Sequence, residues 1–119
     1  TDGIPAGSKP HPRAWGTYPR ILGRYVRDEG GISLSDAIHK MSGMPADKFN
    51  LAGRGYVREG GFADLVVFDP ETVIDSATFE KPMTPAAGID LVMVNGKIIR
   101  EQGRVTGARP GRALRRNAA

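Results

Sequence analysis

The chain has 119 residues, 39% hydrophobic and 25% charged, an ordinary globular composition that excludes a wholly disordered segment. Cysteine is absent, which excludes disulfides, thiolate metal ligands and a cysteine nucleophile and fits a reducing, cytoplasmic setting. The net charge of +4 gathers at Arg109, Arg112, Arg115 and Arg116, so it reads as a solvated basic tail rather than a nucleic-acid surface, and no apolar run approaches the ~20 residues of a membrane span.

Taken in order, residues 1–17 are rich in Gly and Pro and read as a loop. Thr17 looks like an N-cap with Pro19 in the first turn, and Ile21, Leu22, Tyr25 and Val26 mark one apolar helix face that Gly30-Gly31 stops. A second helix begins at Ser33-Leu34-Ser35-Asp36, a capping box with Asp in the usual Glu position and Ile32 as staple. Leu34, Ala37, Ile38 and Met41 supply its buried stripe, and Gly43 with Pro45 ends it. Pro45 then opens a short helical turn, Ala46 to Phe49.

Beyond residue 50 the period changes to that of strands. Tyr56-Val57 is a short strand candidate, and Ala63 to Asp69 is a β-rich run closed by Pro70. After an irregular stretch, Ile89 to Val94 and Lys97 to Arg100 flank Asn95-Gly96, a strong hairpin signal because a type I′ turn needs φ > 0 twice. Gln102-Gly103 predicts another turn before Arg104-Val105-Thr106. Helices first and antiparallel strands second predict an α+β chain, with 1–50 as one part and 51–119 as the other.

Two sets of residues carry a family resemblance. Gly60-Gly61-Phe62-Ala63-Asp64-Leu65-Val66-Val67-Phe68-Asp69 with Val94-Asn95-Gly96-Lys97 resembles the end of a metal-dependent amidohydrolase. Asp2-Gly3-Ile4-Pro5, His11-Pro12-Arg13, Trp15-Gly16-Thr17, the Pro19 to Arg27 block and Gly107 to Arg112 resemble the N-acyl-D-amino-acid deacylases. The resemblance implies the last strand and helices of a TIM-type barrel over 1–50 and the C-terminal strands of a small β-sandwich over 51–119. A barrel takes ~250 residues, so the chain is expected to be the carboxy-terminal part of such an enzyme and inactive alone. The strand signature fits dihydroorotase- or hydantoinase-like cyclic amide hydrolases equally well; the Asp2-to-Arg27 blocks fit them less. A non-catalytic basic binding module is a further reading.

The resemblance also assigns roles. Asp2, with Thr1 where Ser is more usual, matches the aspartate at the end of the eighth barrel strand. It would take a proton from a zinc-bound water, pass it to the leaving nitrogen, and at most weakly ligate the metal. Read bare, an Asp before Gly is a solvated turn residue. Catalytic zinc needs three protein ligands, and two histidines without cysteine do not make that cage, so the Zn²⁺ of the full-length enzyme is expected to be held upstream. Arg13 suits bidentate recognition of the substrate carboxylate, or is a surface or loop-clamping arginine. His11 is either loop-structuring or a substrate contact. His39 reads as an ordinary helix residue, Trp15 as a packing anchor, Asp64 as a structural acceptor, and Arg20, Arg24 and Arg27 as a solvated face. The expected partner is a small N-acyl-D-amino acid, with no nucleic acid and no membrane, and faces shaped for a barrel favour self-association.

Overall fold

In the computed structural model, residues 7–114 are described. They form mixed helix and antiparallel sheet, in two compact units. The first runs to Ala37 and takes in Asp69–Gly88; the second is Ile38–Phe68 with the chain from Ile89 onward. The division therefore interleaves along the sequence.

The first unit is organised by α1, Arg13–Arg20, which runs on without a break into a π-helical segment, Ile21–Asp28. This helix starts earlier than Thr17. Pro12 is its N-cap, and Thr17 lies inside, its hydroxyl donating to the Arg13 carbonyl at 2.7 Å. A threonine bonded back one turn satisfies its own hydroxyl and does not cap. Pro19 is likewise interior; it removes the bond to the Trp15 carbonyl, and two residues later the winding widens. The wider turn is seen directly where the Glu29 N–H reaches the Arg24 carbonyl, five residues back, at 2.9 Å.

Two glycines set how closely this helix lies on the 69–88 segment. A Cβ on Gly23 would stand 2.4 Å from the Val73 carbonyl oxygen, and one on Gly16 would stand 2.9 Å from the Asp75 Cβ. Neither distance is available to a real side chain, so both positions need the missing Cβ. Val73, 1% exposed, is the centre of this small core. Arg27 adds a clamp, its Nη1 donating to the Val73 carbonyl at 2.8 Å, so it is not simply one of a solvated row. The 69–88 segment is closed by the Asp69 N–H to the Gly88 carbonyl at 2.9 Å and a bridge between Ile74 and Ala87.

The second helix, α2, Leu34–Met41, begins at the expected cap. The Asp36 N–H donates to Ser33 Oγ at 3.1 Å and the Ser33 hydroxyl donates to the Asp36 carboxylate at 2.7 Å. Its apolar stripe is only partly covered: Ala37 is 1% exposed, whereas Leu34 and Ile38 are each 38% exposed.

In the second unit α3 spans Gly43–Lys48, earlier than Ala46, with Pro45 in the first turn where its N–H is not required. Tyr56-Val57 is not a strand. It lies in a turn-rich stretch where Gly53 and Gly55 have φ of 75° and 84°, a conformation that breaks a ladder. Four antiparallel strands follow: β1 Leu65–Phe68, β2 Ile89–Val94, β3 Lys97–Glu101 and β4 Arg104–Val105, paired in chain order. Asn95 and Gly96 have φ of 46° and 75°, Gln102 and Gly103 47° and 77°, so both hairpins turn as their residue types demand. Successive strand residues point to opposite faces, yet Val66 and Val67 are 55% and 51% exposed. Leu65 and Phe68 are half-buried, so each face of β1 is only partly covered.

Candidate functional site

The start of α1 builds the site. His11 and Pro12 lead the chain into the helix, and the Arg13 N–H, which has no carbonyl of a preceding turn to bond, donates to His11 Nδ1 at 3.1 Å. That bond fixes the imidazole orientation, and the ring packs edge-on against Phe79, with centroids 5.0 Å apart and planes at 78°. His11 and Arg13 both line a cleft of about 580 Å³, walled in part by Ile21, Tyr25, Asp75 and Phe79. The predicted substrate residues are therefore brought together. The loop-structuring role of His11 is present as well, since one ring nitrogen serves the helix end.

The cleft has a balanced floor and an apolar wall. The guanidinium of Arg20 lies 3.6 Å from the Asp75 carboxylate, which is only 13% exposed. Ile21 and Tyr25 come from the π-helical segment, and Phe79 with Glu80 comes from the 69–88 segment. Sequence reading missed that second contribution, because the 69–88 stretch has no period and its place against the helix depends on close approach at Gly16 and Gly23. The one available signal was the Gly16/Gly23 pair, seven residues apart on a helix otherwise rich in large side chains.

Asp2 lies outside the described residues. His39 is an exposed residue of α2 and Trp15 is half-buried in α1. Among the described residues no group of three His, Asp or Glu side chains is placed to hold a metal ion. The donors among the described residues therefore do not make up a catalytic zinc site, which needs three protein ligands. No described helix is long and apolar enough to cross a membrane.

Asp64 proves to be the centre of a polar knot in the second unit. Its carboxylate accepts from the Arg54 guanidinium and, at 2.8 Å, from the Asn95 N–H. Arg54 also donates to Asn95 Oδ1 at 2.8 Å and lies over the Phe62 ring, 4.2 Å from its centroid. Asn95 Nδ2 then holds the Pro110 carbonyl at 2.8 Å. Burial of Asp64 opposes its ionisation, but the Asn95 N–H and the bond and charge of Arg54, with Arg112 behind, outweigh it and hold the carboxyl below its ordinary value. The Ala-Asp and Asn-Gly elements of the sequence signature are thus one structural device that pins the hairpin turn to the loop before β1.

The chain matches the profile of the amidohydrolase family over residues 1–100. It is 54% identical to a D-aminoacylase from Alcaligenes xylosoxydans xylosoxydans over 119 residues, which is 100% of this chain and 25% of that protein. A solved D-aminoacylase, described as defining a novel subset of amidohydrolases, has a TM-score of 0.94 at 56% identity, covering 97% of this chain and 24% of the other. A solved N-acyl-D-glutamate deacylase from Bordetella bronchiseptica, complexed with zinc and a phosphonate mimic of the tetrahedral intermediate, has a TM-score of 0.89 at 45% identity over 96% of this chain and 24% of that one. The chain spans about a quarter of the length of the relatives it matches.

Proposed function

The chain belongs to the amidohydrolase family, and from that premise we propose that it is the carboxy-terminal part of a zinc-dependent hydrolase cleaving the amide of N-acyl-D-amino acids to a carboxylate and a free D-amino acid. The observation that carries this reading is the convergence of His11 and Arg13 on one cleft at the head of α1. Its volume of about 580 Å³ lies within the ~300–1,000 Å³ usual for small-molecule sites. On this reading Arg13 binds the α-carboxylate through its planar guanidinium, and His11 contributes its second ring nitrogen to the ligand. Asp2 is the carboxylate that moves a proton from the attacking water to the leaving nitrogen, and at most a weak metal ligand. The zinc belongs to donors outside this chain, so the chain alone is inert.

The same proposal places residues 1–50 at the end of a TIM-type barrel and 51–119 in a small β-sandwich, and it places the protein in the cytoplasm. The substrate is a small molecule, and the exposed Val66 and Val67 of β1 favour self-association of the chain on its own. The test is an assay of the full-length enzyme on N-acyl-D-amino acids alongside cyclic imides. Hydrolysis of the linear D-amides, abolished in Asp2→Asn, is expected; turnover of the cyclic imides alone would sink the proposal in favour of a dihydroorotase- or hydantoinase-like activity.

A further inference from the structure

We propose that the bond at the head of α1 fixes His11 as the Nε2–H tautomer, so that its second ring nitrogen offers the ligand a hydrogen-bond donor and is neither a base nor a metal ligand. This rests on the reading that an N-acyl-D-amino acid occupies the cleft, and it goes further by naming what His11 does there: it binds an oxygen.

A neutral imidazole carries one ring N–H, so one nitrogen donates, the other accepts, and the bond made by one decides the other. Here the deciding bond comes from the backbone. The Arg13 N–H donates to His11 Nδ1 at 3.1 Å, which requires a lone pair on Nδ1 and leaves the proton to Nε2. That N–H belongs to the first residue of α1 and has no carbonyl of a preceding helical turn to serve. The ring is held from a second side by Phe79, which meets it edge-on with centroids 5.0 Å apart. Nε2 itself has no hydrogen-bond partner among the described residues, and His11 is exposed and lines the cleft. An N–H so placed is satisfied by an acceptor. Outside its side chain, an N-acyl-D-amino acid has acceptors only in its carboxylate and its acyl carbonyl. With the Nδ1 lone pair engaged and none on Nε2, the ring has nothing left with which to take a proton from water or to bind a cation.

The experiment has a spectroscopic arm and a kinetic one, both on the full-length enzyme. With histidine nitrogens isotopically labelled, the His11 ring is the NMR signal missing in His11→Gln. At alkaline pH the neutral ring should show Nε2 protonated and Nδ1 bare, and saturating N-acetyl-D-alanine should move the Nε2 resonance and leave Nδ1 nearly in place. The opposite tautomer, or an averaged mixture of the two, overturns the proposal. In the kinetic arm, His11→Gln keeps a donor at the reach of Nε2 without basicity, whereas His11→Asn keeps an acceptor at the reach of Nδ1 and loses that donor. On N-acetyl-D-alanine, His11→Gln should stay within about threefold of the wild-type kcat/KM and His11→Asn should fall by about tenfold, the worth of a hydrogen bond to a charged oxygen. A fall carried by KM alone identifies that oxygen as the carboxylate's, and one carried by kcat identifies it as the acyl oxygen. Equal losses in both variants, or the reverse order, overturn the donor: the first makes His11 a base, the second only a helix cap. The expected tautomer, moved by N-acetyl-D-alanine that is then not cleaved, sinks the reaction and leaves the donor standing.

Discussion

Arg13 occupies the first position of α1, where its backbone N–H is bonded by the His11 ring and its side chain lines the cleft. The two residues are therefore coupled through the backbone, and substitutions separate their roles. In the full-length enzyme Arg13→Ala should raise KM by about 10- to 100-fold, the worth of charge-assisted bonds to a carboxylate. Arg13→Lys should recover only part of it, because an ammonium cannot reproduce the planar fork. A KM unchanged in both variants would return Arg13 to a loop-clamping role. Asp64 supports a prediction of another kind. Its carboxyl titrates below its ordinary value in the folded chain, so the unfolded state binds the proton more readily. The stabilisation is then fully present above the unfolded value and is lost as pH falls through the lowered folded one, in the range below about pH 4. Asp64→Asn should cost about 1–3 kcal/mol at pH 7, by weakening the partners of the nearly buried Arg54. It should also flatten the acid limb of stability, followed by urea melts from about pH 5 down to about pH 2, a range that brackets ordinary carboxyl titration. A variant with the same acid limb as the wild type would disconnect Asp64 from it.

At the scale of elements, the sheet was readable, as was the end of the first helix, but not that helix's start or its winding. Asn95-Gly96 and Gln102-Gly103 specify their turns locally, through two consecutive positive φ values each, so the β2–β4 ladder follows from short-range chemistry. The α2 cap is equally local: Ser33 and Asp36 satisfy one another. The start of α1 fails the same treatment. Thr17 has the side chain of a cap, but its hydroxyl bonds back to Arg13, while the actual N-terminus is served by a histidine two residues away. The 69–88 wall depends on a tertiary approach that the spacing of Gly16 and Gly23 alone hints at. That approach is testable. Gly23→Ala places a Cβ 2.4 Å from the Val73 carbonyl oxygen, which is backbone and cannot swing aside. It should destabilise the first unit by about 1–3 kcal/mol, read as a lowered denaturation midpoint. Gly30 is left-handed at φ 62°, but a Cβ added there would have nothing within 4 Å, so it separates strain from clash. Gly30→Asn, whose side chain tolerates that φ, should cost much less. Equal losses at both positions would mean that close approach is not what Gly23 provides.

For the whole molecule the decisive feature is how little is covered. Among the described residues only Ala37, Ala46 and Val73 are buried apolar side chains, whereas a domain of this length ordinarily buries roughly 65% of its unfolded surface. The sheet shows where the deficit lies. Val66 pairs with Val92 and Val67 with Leu91, so each face of β1 carries an apolar pair in which the β1 valine is exposed and its β2 partner half-buried. β1 is also an edge strand, with one line of backbone donors and acceptors unpaired within the sheet. An apolar edge with an exposed valine on each face is a template for pairing with another polypeptide. In the full-length enzyme that polypeptide would be the rest of the same chain; for the 119-residue chain alone it can only be another copy. Sedimentation velocity on this chain should therefore show concentration-dependent oligomers, and Val66→Lys together with Val67→Lys should shift them toward monomer, since a charge on each face must be desolvated to restore the contact. The paired substitution should have the opposite consequence in the full-length enzyme if, as proposed, the rest of the chain covers the same faces: lower thermal stability, with no gain in solubility. A wild-type chain that sediments as a monomer across the accessible concentration range would mean that these faces are tolerated bare, and would remove the physical reason for expecting a larger body of protein to pack against them.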